Sequence, residues 1–166
     1  MKLPREFFSR HSPEVARDLL GRILVFGDHK GIITETESYR GLDDPASHAY
    51  RGPTPRAKIM FGTPGLSYVY FIYGMYHCLN IVTEEEGLPS AVLIRGLKLL
   101  TPPFDLLGGP GKICREMKIT REHNGIDLIN HDSFYVMEGK RAEEFVATPR
   151  IGIKTAMDKL WRFCLV

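Results

Sequence analysis

The sequence has few cysteines, and they lie far apart. Cys78, Cys114 and Cys164 are the only three among 166 residues, and no CxxC pair exists. An odd number of separated cysteines indicates neither a disulfide framework nor a zinc knuckle. The histidines show no HxxxH or HExxH spacing, so we expect neither a metal site nor a cofactor. These absences favour a reducing compartment, and we predict the cytoplasm.

The sequence also lacks a long apolar run and a strong excess of one charge. Its most apolar stretch, residues 66–82, is interrupted by Gly74, His77 and Asn80. We therefore expect no membrane segment, and the tyrosines of this stretch suit a sheet better than a bilayer. The N-terminal residues have no long apolar run and no small-residue cleavage site, so we expect no secretory signal. With 22 basic and 20 acidic residues the formal net charge is +2, so composition alone does not indicate a nucleic-acid binder.

Length and patterning predict a mixed α/β (α+β) fold in a single domain over residues 1–166. Short apolar or alternating runs bounded by glycine and proline predict strands. They lie at residues 22–26, 31–39, 91–97, 134–139 and 149–153, with two more in 66–83 joined by a turn near Gly74. Helices are predicted after Ser12, which would cap a helix ending at Gly21, and over 108–119. A helix or turn is predicted over 154–163.

Residues 40–66 are rich in proline and glycine and predict one long loop. A loop of this length is usually either functional or disordered, and Tyr50, Met60 and Phe61 argue against disorder. Positive side chains in such a loop are usually only solvated. Beside stacking aromatic residues they become candidates for contacts with the DNA backbone. The basic residues in question are Arg51, Arg56 and Lys58.

Two glutamates stand two positions apart in the stretch ITETESY. Strand periodicity places Ile33, Glu35, Glu37 and Tyr39 on one face, with about 6.6 Å between the two glutamates. That separation is close to the one that inverting glycosidases use for an acid and a base. The alternative is that both carboxylates are exposed on a solvated sheet face.

Four tyrosines and one arginine mark the strands that follow. A filled β core is the common explanation for aromatic strands, but Tyr68 and Tyr70 share a face and predict a stacking wall. Tyr73, beside the turn glycine, predicts an exposed tip of the kind that wedges between stacked bases. Arg95 lies in the apolar run AVLIRGL, so it either extends outward or pairs with a carboxylate, for which Glu37 is the natural candidate.

The stretch ITETESYRGLDDPASHAYRGPTPRAKIMFGTPGLSYVYFIYGMYHCLNIVT, followed by AVLIRGL, closely resembles the alkyladenine (3-methyladenine) DNA glycosylase family. The resemblance runs from REFF at residue 5 to about residue 97 and resumes in GPGKICREMKI and in PRIGI…LWRF. The segment between Arg95 and GPGK is shorter than is usual in the family. The resemblance implies a curved, largely antiparallel sheet flanked by helices, with a protruding β-hairpin that enters the minor groove.

The resemblance also implies residue roles. Glu37 matches the general base that activates water, and Arg95 matches the arginine that helps to hold this water. The side chains that contact the flipped base or line its pocket are matched by Tyr39, His48, Tyr70, Asn80 and Leu93. The intercalating residue is matched by Tyr73. Glu35 is left without a catalytic role, and we expect it to be structural and paired with a basic side chain.

The implied function is that of a monofunctional DNA N-glycosylase of base-excision repair, acting as a monomer on double-stranded DNA. It would flip a damaged purine, such as 3-methyladenine or hypoxanthine, and leave an abasic site. No lysine occupies a matched catalytic position, so no strand cleavage is expected. Two alternatives stay open: a non-catalytic binder of damaged or single-stranded nucleic acid, and an enzyme that acts on free nucleosides or sugars through Glu35 and Glu37.

Overall fold

The computed structural model describes all 166 residues, as three α-helices and nine β-strands with two short 3₁₀ helices. The α-helices are α1 (Arg5–Phe8), α2 (Ser12–Asp18) and α3 (Pro110–Met117). The strands are β1 (Ile23–Phe26), β2 (His29–Arg40), β3 (Ser67–Ile72), β4 (Tyr76–Val82), β5 (Ser90–Leu99), β6 (Leu106–Gly108), β7 (Phe134–Met137), β8 (Phe145–Thr148) and β9 (Arg162–Leu165). The 3₁₀ helices are Ala57–Phe61 and Arg121–His123.

All nine strands pair antiparallel in one sheet, and β2 is its hub. The main path runs β3-β4-β5-β2-β1-β7, with β6 paired to β5, and with β9 paired to both β2 and β8. β2 pairs with β1 at its start, with β5 along most of its length and with β9 around Glu35–Glu37. The sheet curls into an antiparallel half-barrel. The predicted mixed α/β fold with a curved antiparallel sheet is therefore confirmed.

The two faces of the sheet have different roles because side chains alternate along each strand. One face packs against α2 and α3 in the main hydrophobic core, to which β4 and β5 contribute Leu79, Ile81, Val92 and Ile94. The residues between these point to the opposite face and line a cavity, namely Cys78, Asn80, Ala91, Leu93 and Arg95. The strands that carry the cavity residues on one face of the sheet are therefore fixed by the hydrophobic core on the opposite face.

Two irregular segments cover the cavity face. Residues 41–66 cross it and bury a second, smaller core in which Ala49, Ala57 and Met60 pack with Tyr68. Residues 149–161, between β8 and β9, close another side. The longest α-helix has eight residues, and no helix of the structure has the length and apolar character that a bilayer span requires.

The predicted face of β2 is wrong at Ile33. The pairing of β2 with β5 shifts register between Ile33 and Glu35 and again between Glu35 and Thr36. Such a bulge moves one residue out of the alternation. Ile33 therefore belongs to the main core, on the helix side of the sheet, where Thr36 donates its hydroxyl hydrogen to the carbonyl oxygen of Ala16.

Two other predictions differ from the structure, and for a third the structure selects one of its two alternatives. Ser12 is the first residue of α2 and does not cap it, since its hydroxyl group is hydrogen-bonded to Thr83 inside the protein. Residues 149–153 form a turn, and the strand lies just before them at β8. The predicted C-terminal helix or turn consists of turns that lead into β9. β9 pairs with β2, and Arg162 of β9 forms an ion pair with Glu35 there.

Candidate active site

A cavity of about 510 Å³ opens on the sheet face opposite the main core. Its volume lies in the range of about 300–1,000 Å³ that is typical of small-molecule sites. It is lined by strands β2 to β5, the 41–66 loop, the start of α3 and residues 151–153. Seven of the predicted site residues lie in its wall: Tyr39, His48, Tyr70, Tyr73, Asn80, Leu93 and Arg95.

Glu37 is fully buried directly behind this wall. Its Oε1 accepts a hydrogen bond from the Tyr39 hydroxyl at 2.8 Å, and its Oε2 accepts one from the backbone N–H of Ile151 at 2.7 Å. Arg95 Nε lies 3.1 Å from Oε2 as an ion pair without hydrogen-bond geometry. A buried carboxylate needs such partners to remain charged. The expected pairing of Arg95 with Glu37 is therefore present.

Tyr39 connects this carboxylate to the cavity. Burial, followed by the negative charge of Glu37, raises the pKa of Tyr39 well above its usual value. The phenol therefore stays protonated and acts as a hydrogen-bond donor to Glu37, while its ring forms part of the cavity wall.

Three rings form the aromatic wall predicted from the sequence. Tyr68 and Tyr70 lie 5.3 Å apart between ring centroids, and His48 meets Tyr70 edge to face at 4.7 Å. His48 Nδ1 is hydrogen-bonded to the Tyr68 hydroxyl at 3.0 Å. Burial, followed by the positive charge of Arg56, lowers the pKa of His48, so its ring is neutral at physiological pH.

Asn80 and Leu93 form the floor of the cavity. They face each other across the pairing of β4 with β5, and both are buried. The amide of Asn80 donates to the backbone oxygen of Tyr68 at 3.2 Å, which fixes the orientation of the Asn80 side chain. One small polar group and one apolar group thus lie below the aromatic wall.

Tyr73 lies at the tip of the β3–β4 hairpin, at the mouth of the cavity. It is 83% exposed, as the sequence predicts for a tip residue. Tyr73 and Gly74 both have positive φ, and the N–H of Met75 donates to the carbonyl oxygen of Ile72, as in a type I′ turn. The hairpin therefore projects an aromatic ring into solvent beside the site.

The basic residues of the 41–66 loop are all exposed. Arg56 lies nearest the cavity, with its guanidinium carbon 5.7 Å from the ring centroid of Tyr70. Arg51 and Lys58 are exposed on the same loop and touch none of the predicted site residues through a hydrogen bond or an ion pair. No group of three or more histidine, cysteine, aspartate or glutamate side chains is arranged to hold a metal ion.

Sequence reasoning missed three contributors to the site. Arg150 and Asp44 form a fully buried ion pair beside Tyr39, and the N–H of Ile151 binds Glu37. The only signal in the sequence was that PRIGI belongs to the family resemblance, because nothing local shows that this segment returns to β2. The missing partner of Glu35 is Arg162, which binds both carboxylate oxygens at 3.0 Å.

Comparison with known proteins agrees with this geometry. The family model described as Methylpurine-DNA glycosylase (MPG) matches residues 6–166. A protein of Wolbachia sp. subsp. Brugia malayi (strain TRS), named "Putative 3-methyladenine DNA glycosylase", is 57% identical over 161 residues, which cover 97% of this chain and 95% of that protein. Proteins with the same name are 56% identical in Sodalis glossinidius (97% and 95% covered) and 52% identical in Ehrlichia ruminantium (strain Welgevonden; 98% and 88%). The chain therefore belongs to the methylpurine-DNA glycosylase family, whose members are hydrolases that cleave N-glycosyl bonds.

Proposed function

We propose that this enzyme flips a damaged purine out of double-stranded DNA and hydrolyses its N-glycosidic bond with a water molecule that Glu37 activates. One observation carries the proposal: a fully buried carboxylate, paired with Arg95, lies directly behind an aromatic cavity. The products are a free base and an abasic site.

The position of the cavity supports the proposed base flipping. A base stacked in a duplex cannot reach a carboxylate that is buried behind a pocket wall, so the nucleotide must rotate out of the helix at a cost of a few kcal/mol. The exposed ring of Tyr73, at the mouth of the cavity, is placed to fill the gap that the base leaves. The proposal assigns the flipped base to the space between Tyr39, Tyr70 and His48.

The chemistry needs one carboxylate in two roles. Cleavage of the N-glycosidic bond passes through a state with positive charge on the sugar, as in glycoside hydrolysis. The Glu37 carboxylate stabilises this charge and takes a proton from the attacking water. Arg95 and the Tyr39 hydroxyl hold the carboxylate oriented toward the cavity.

The nature of the walls favours a cationic lesion. Tyrosine faces attract positive charge, and the neutral ring of His48 adds no repelling charge to the wall. We therefore propose alkylated purines such as 3-methyladenine, whose positive charge also eases departure of the base, as the main substrates. Hypoxanthine, which is neutral, gains less from these walls.

The proposed reaction leaves the DNA strand intact. Strand cleavage by glycosylases requires an amine nucleophile, and Lys112 at the start of α3 is the lysine in the cavity wall. The contacts of Glu37 are to Tyr39, Ile151 and Arg95, and Lys112 is not among them. Water is therefore the proposed nucleophile.

The decisive test is release of free base from duplex oligonucleotides that carry 3-methyladenine or hypoxanthine. We expect wild-type protein to release base, and we expect Glu37→Gln to lose at least about 10³-fold in rate while it still binds the duplex, because both roles of the carboxylate disappear. Full activity of Glu37→Gln would contradict the assignment. Borohydride added during the reaction should trap no protein–DNA adduct, and an adduct at Lys112 would replace the water mechanism.

The two alternatives make different predictions in the same assay. A non-catalytic binder releases no base, and its affinity does not respond to Glu37→Gln. An enzyme that acts on free nucleosides or sugars through Glu35 and Glu37 would be active on a small substrate and would not need Tyr73. It would also need Glu35 free to react, but both oxygens of Glu35 are bound by Arg162. Because the proposed substrate is DNA and the relatives are bacterial, we propose the cytoplasm as the site of action, with the protein acting as a monomer.

A further inference from the structure

Arg150 and Asp44 form an ion pair in which neither side chain is exposed. The guanidinium binds both carboxylate oxygens, with Nη2 donating to Oδ1 at 2.8 Å, and Nη1 also donates to the carbonyl oxygen of Ser38 at 3.0 Å. The carboxylate accepts two further hydrogen bonds, from the backbone N–H groups of Arg40 and Ala46. Both oxygens of Asp44 are therefore satisfied inside the protein.

This pair joins the three segments that build the site. Ser38 lies in β2, between the two site residues of that strand. Asp44 begins the loop that carries His48. Arg150 directly precedes Ile151, whose N–H donates to the buried catalytic carboxylate. One guanidinium thus fixes the strand, the loop and the C-terminal segment relative to one another.

Arg150 also packs on the ring that lines the cavity. Its guanidinium carbon lies 4.7 Å from the ring centroid of Tyr39 and 5.4 Å from that of Trp161. A cation over an aromatic face attracts the ring electrostatically. Arg150 thus contacts the face of the Tyr39 ring, while the Tyr39 hydroxyl donates a hydrogen bond to Glu37.

Stability alone does not explain a buried ion pair at this point. Apolar side chains of similar size usually stabilise a fold as well as a buried pair does, because the pair must offset the desolvation of two charges. What apolar side chains do not supply is directional hydrogen bonding to three separate segments. The contacts of Arg150 therefore fit a role in geometry.

We propose that Arg150 is a positioning residue for base excision: its buried pair with Asp44 holds Ile151 against Glu37 and the Tyr39 ring at the cavity wall. This inference rests on the proposed function, since it assumes that Glu37 is the general base. Arg150 itself is buried behind Tyr39 and does not touch the substrate. It acts on the rate through the orientation of Glu37, which does the chemistry, and of Tyr39, which holds that carboxylate and lines the cavity.

Arg150→Lys tests the proposal because it keeps the charge and removes the planar fork that reaches Asp44 and Ser38 together. Single-turnover excision should be measured at a temperature where circular dichroism shows the variant fully folded. We expect the rate to fall by roughly 10²-fold, the loss that a displacement of about 1 Å causes, while the affinity for the lesion duplex changes by less than about threefold. The emission of Trp161, the only tryptophan, should shift because Arg150 packs against its ring.

Arg5→Lys is the matched control. Arg5 pairs with Asp127 at 2.7 Å and donates to the backbone oxygen of Pro64, away from the cavity. This variant should excise at the wild-type rate. If Arg150→Lys does not fold, the double variant Arg150→Met/Asp44→Leu replaces the whole pair by apolar groups. We expect the double variant to fold and to excise slowly.

Several outcomes would overturn the proposal. A folded Arg150→Lys or double variant that excises at the wild-type rate removes the positioning role. The positioning role is also removed if the rate loss disappears on cooling as the folded fraction of the variant rises, because a residue that only stabilises the fold behaves in this way. Failure of the proposed function is recognised separately, because wild-type protein would then release no base from any lesion duplex before a variant is compared.

Discussion

At the level of single residues, the two glutamates of β2 differ in the side chains that bind them. Both point to the cavity side of the sheet, and Arg95 Nε lies 3.1 Å from Glu37 but 3.9 Å from Glu35. Both carboxylate oxygens of Glu35 accept hydrogen bonds from Arg162, which also donates to the hydroxyl of Thr148. Arg162 does not line the cavity, whereas all three partners of Glu37, namely Tyr39, Ile151 and Arg95, do. The expected basic partner of Glu35 is thus present, and its structural role stays a prediction.

We expect Glu35→Gln to keep base excision within about threefold of the wild-type rate while it lowers the free energy of unfolding by about 1 kcal/mol. The amide keeps the shape but weakens a charge-assisted pair, and partial exposure of both side chains reduces what the pair contributes. Urea unfolding and the excision assay measure the two effects. Asp127→Asn, which weakens the partly buried pair with Arg5, is the control.

The opposite result would restore the two-carboxylate mechanism. A Glu35→Gln variant that folds normally but has lost excision would mean that Glu35 takes part in the chemistry. Arg162 would then be expected to adjust the acidity of Glu35 rather than to anchor β9.

At the level of secondary-structure elements, the β3–β4 hairpin has at its tip a residue with an unfavourable backbone conformation. Tyr73 has φ of 56°, in the left-handed region that side chains other than glycine rarely adopt. The following Gly74, with φ of 66°, supplies the second left-handed residue that the turn requires. Tyr73 is mostly exposed, so its ring contributes little to folding. Such strain without a packing gain is typical of functional positions.

Tyr73→Gly should therefore separate stability from function. Relief of left-handed strain, about 1 kcal/mol or more, offsets the entropic cost of glycine, about 0.5–1 kcal/mol. We expect a free energy of unfolding equal to or above the wild-type value. Excision at limiting DNA concentration should fall by about tenfold or more, because the wedge that offsets the cost of flipping is gone. Thermal unfolding and kcat/KM on a lesion duplex measure both.

Leu88→Ala provides the comparison, since Leu88 is an exposed apolar residue in the β4–β5 connection. It should leave both quantities unchanged. Normal kcat/KM in Tyr73→Gly would show that the hairpin tip does not enter DNA, and a strong loss of stability would show that the ring packs in the fold.

At the scale of the whole molecule, ionisable groups tie stability to pH. Burial and the charge of Arg56 lower the pKa of His48 from its ordinary 6.5, with Tyr68 and Tyr70 as its uncharged neighbours. Burial raises the pKa of Glu84, but hydrogen bonds from Arg40 and from the Ser12 backbone outweigh it and leave the pKa below its usual 4.5.

Two aspartates behave in the same way. Burial raises the pKa of Asp18, but hydrogen bonds from Arg10 and Arg17 outweigh it, and the pKa lies below its ordinary 3.8. Arg5 does the same for Asp127. Glu84 and Asp127 connect α2 and α1 to distant segments, and Asp18 connects α2 to the turn before it, so we expect their protonation to loosen the packing of the helices.

We expect the free energy of unfolding to fall in two stages as the pH decreases. Each of these groups has a lower pKa in the folded state, so the unfolded chain binds the proton first, and stability is lost as pH falls through that interval. His48 causes a loss below about pH 6.5, and the carboxylates cause a second loss below about pH 4. Urea titrations across this range measure it. His48→Gln should reduce the first stage, and a flat profile between about pH 7 and 5 would contradict the contribution of His48.

Much of the fold could be predicted because its signals are local. The alternation of polar and apolar residues places Tyr68 and Tyr70 on one face, and Gly74 marks the hairpin turn. Prediction failed where a bulge interrupts alternation, as at Ile33, and where a strand forms only because a distant partner meets it, as β9 does. Short edge strands carry too few residues for periodicity to show.

The strands around the cavity, the residues that face it and the family resemblance could be recognised before folding is considered, because these depend on neighbouring residues or on matched motifs. The groups that hold Glu37 became visible only in the folded chain. Ile151 lies 114 residues from Glu37, and Arg150 lies 106 residues from Asp44. Contacts between residues so far apart in sequence depend on the sheet register and on where the chain comes back to the sheet, and neither leaves a local pattern in the sequence. Arg162, 127 residues from Glu35, likewise became its partner only when β9 paired with β2.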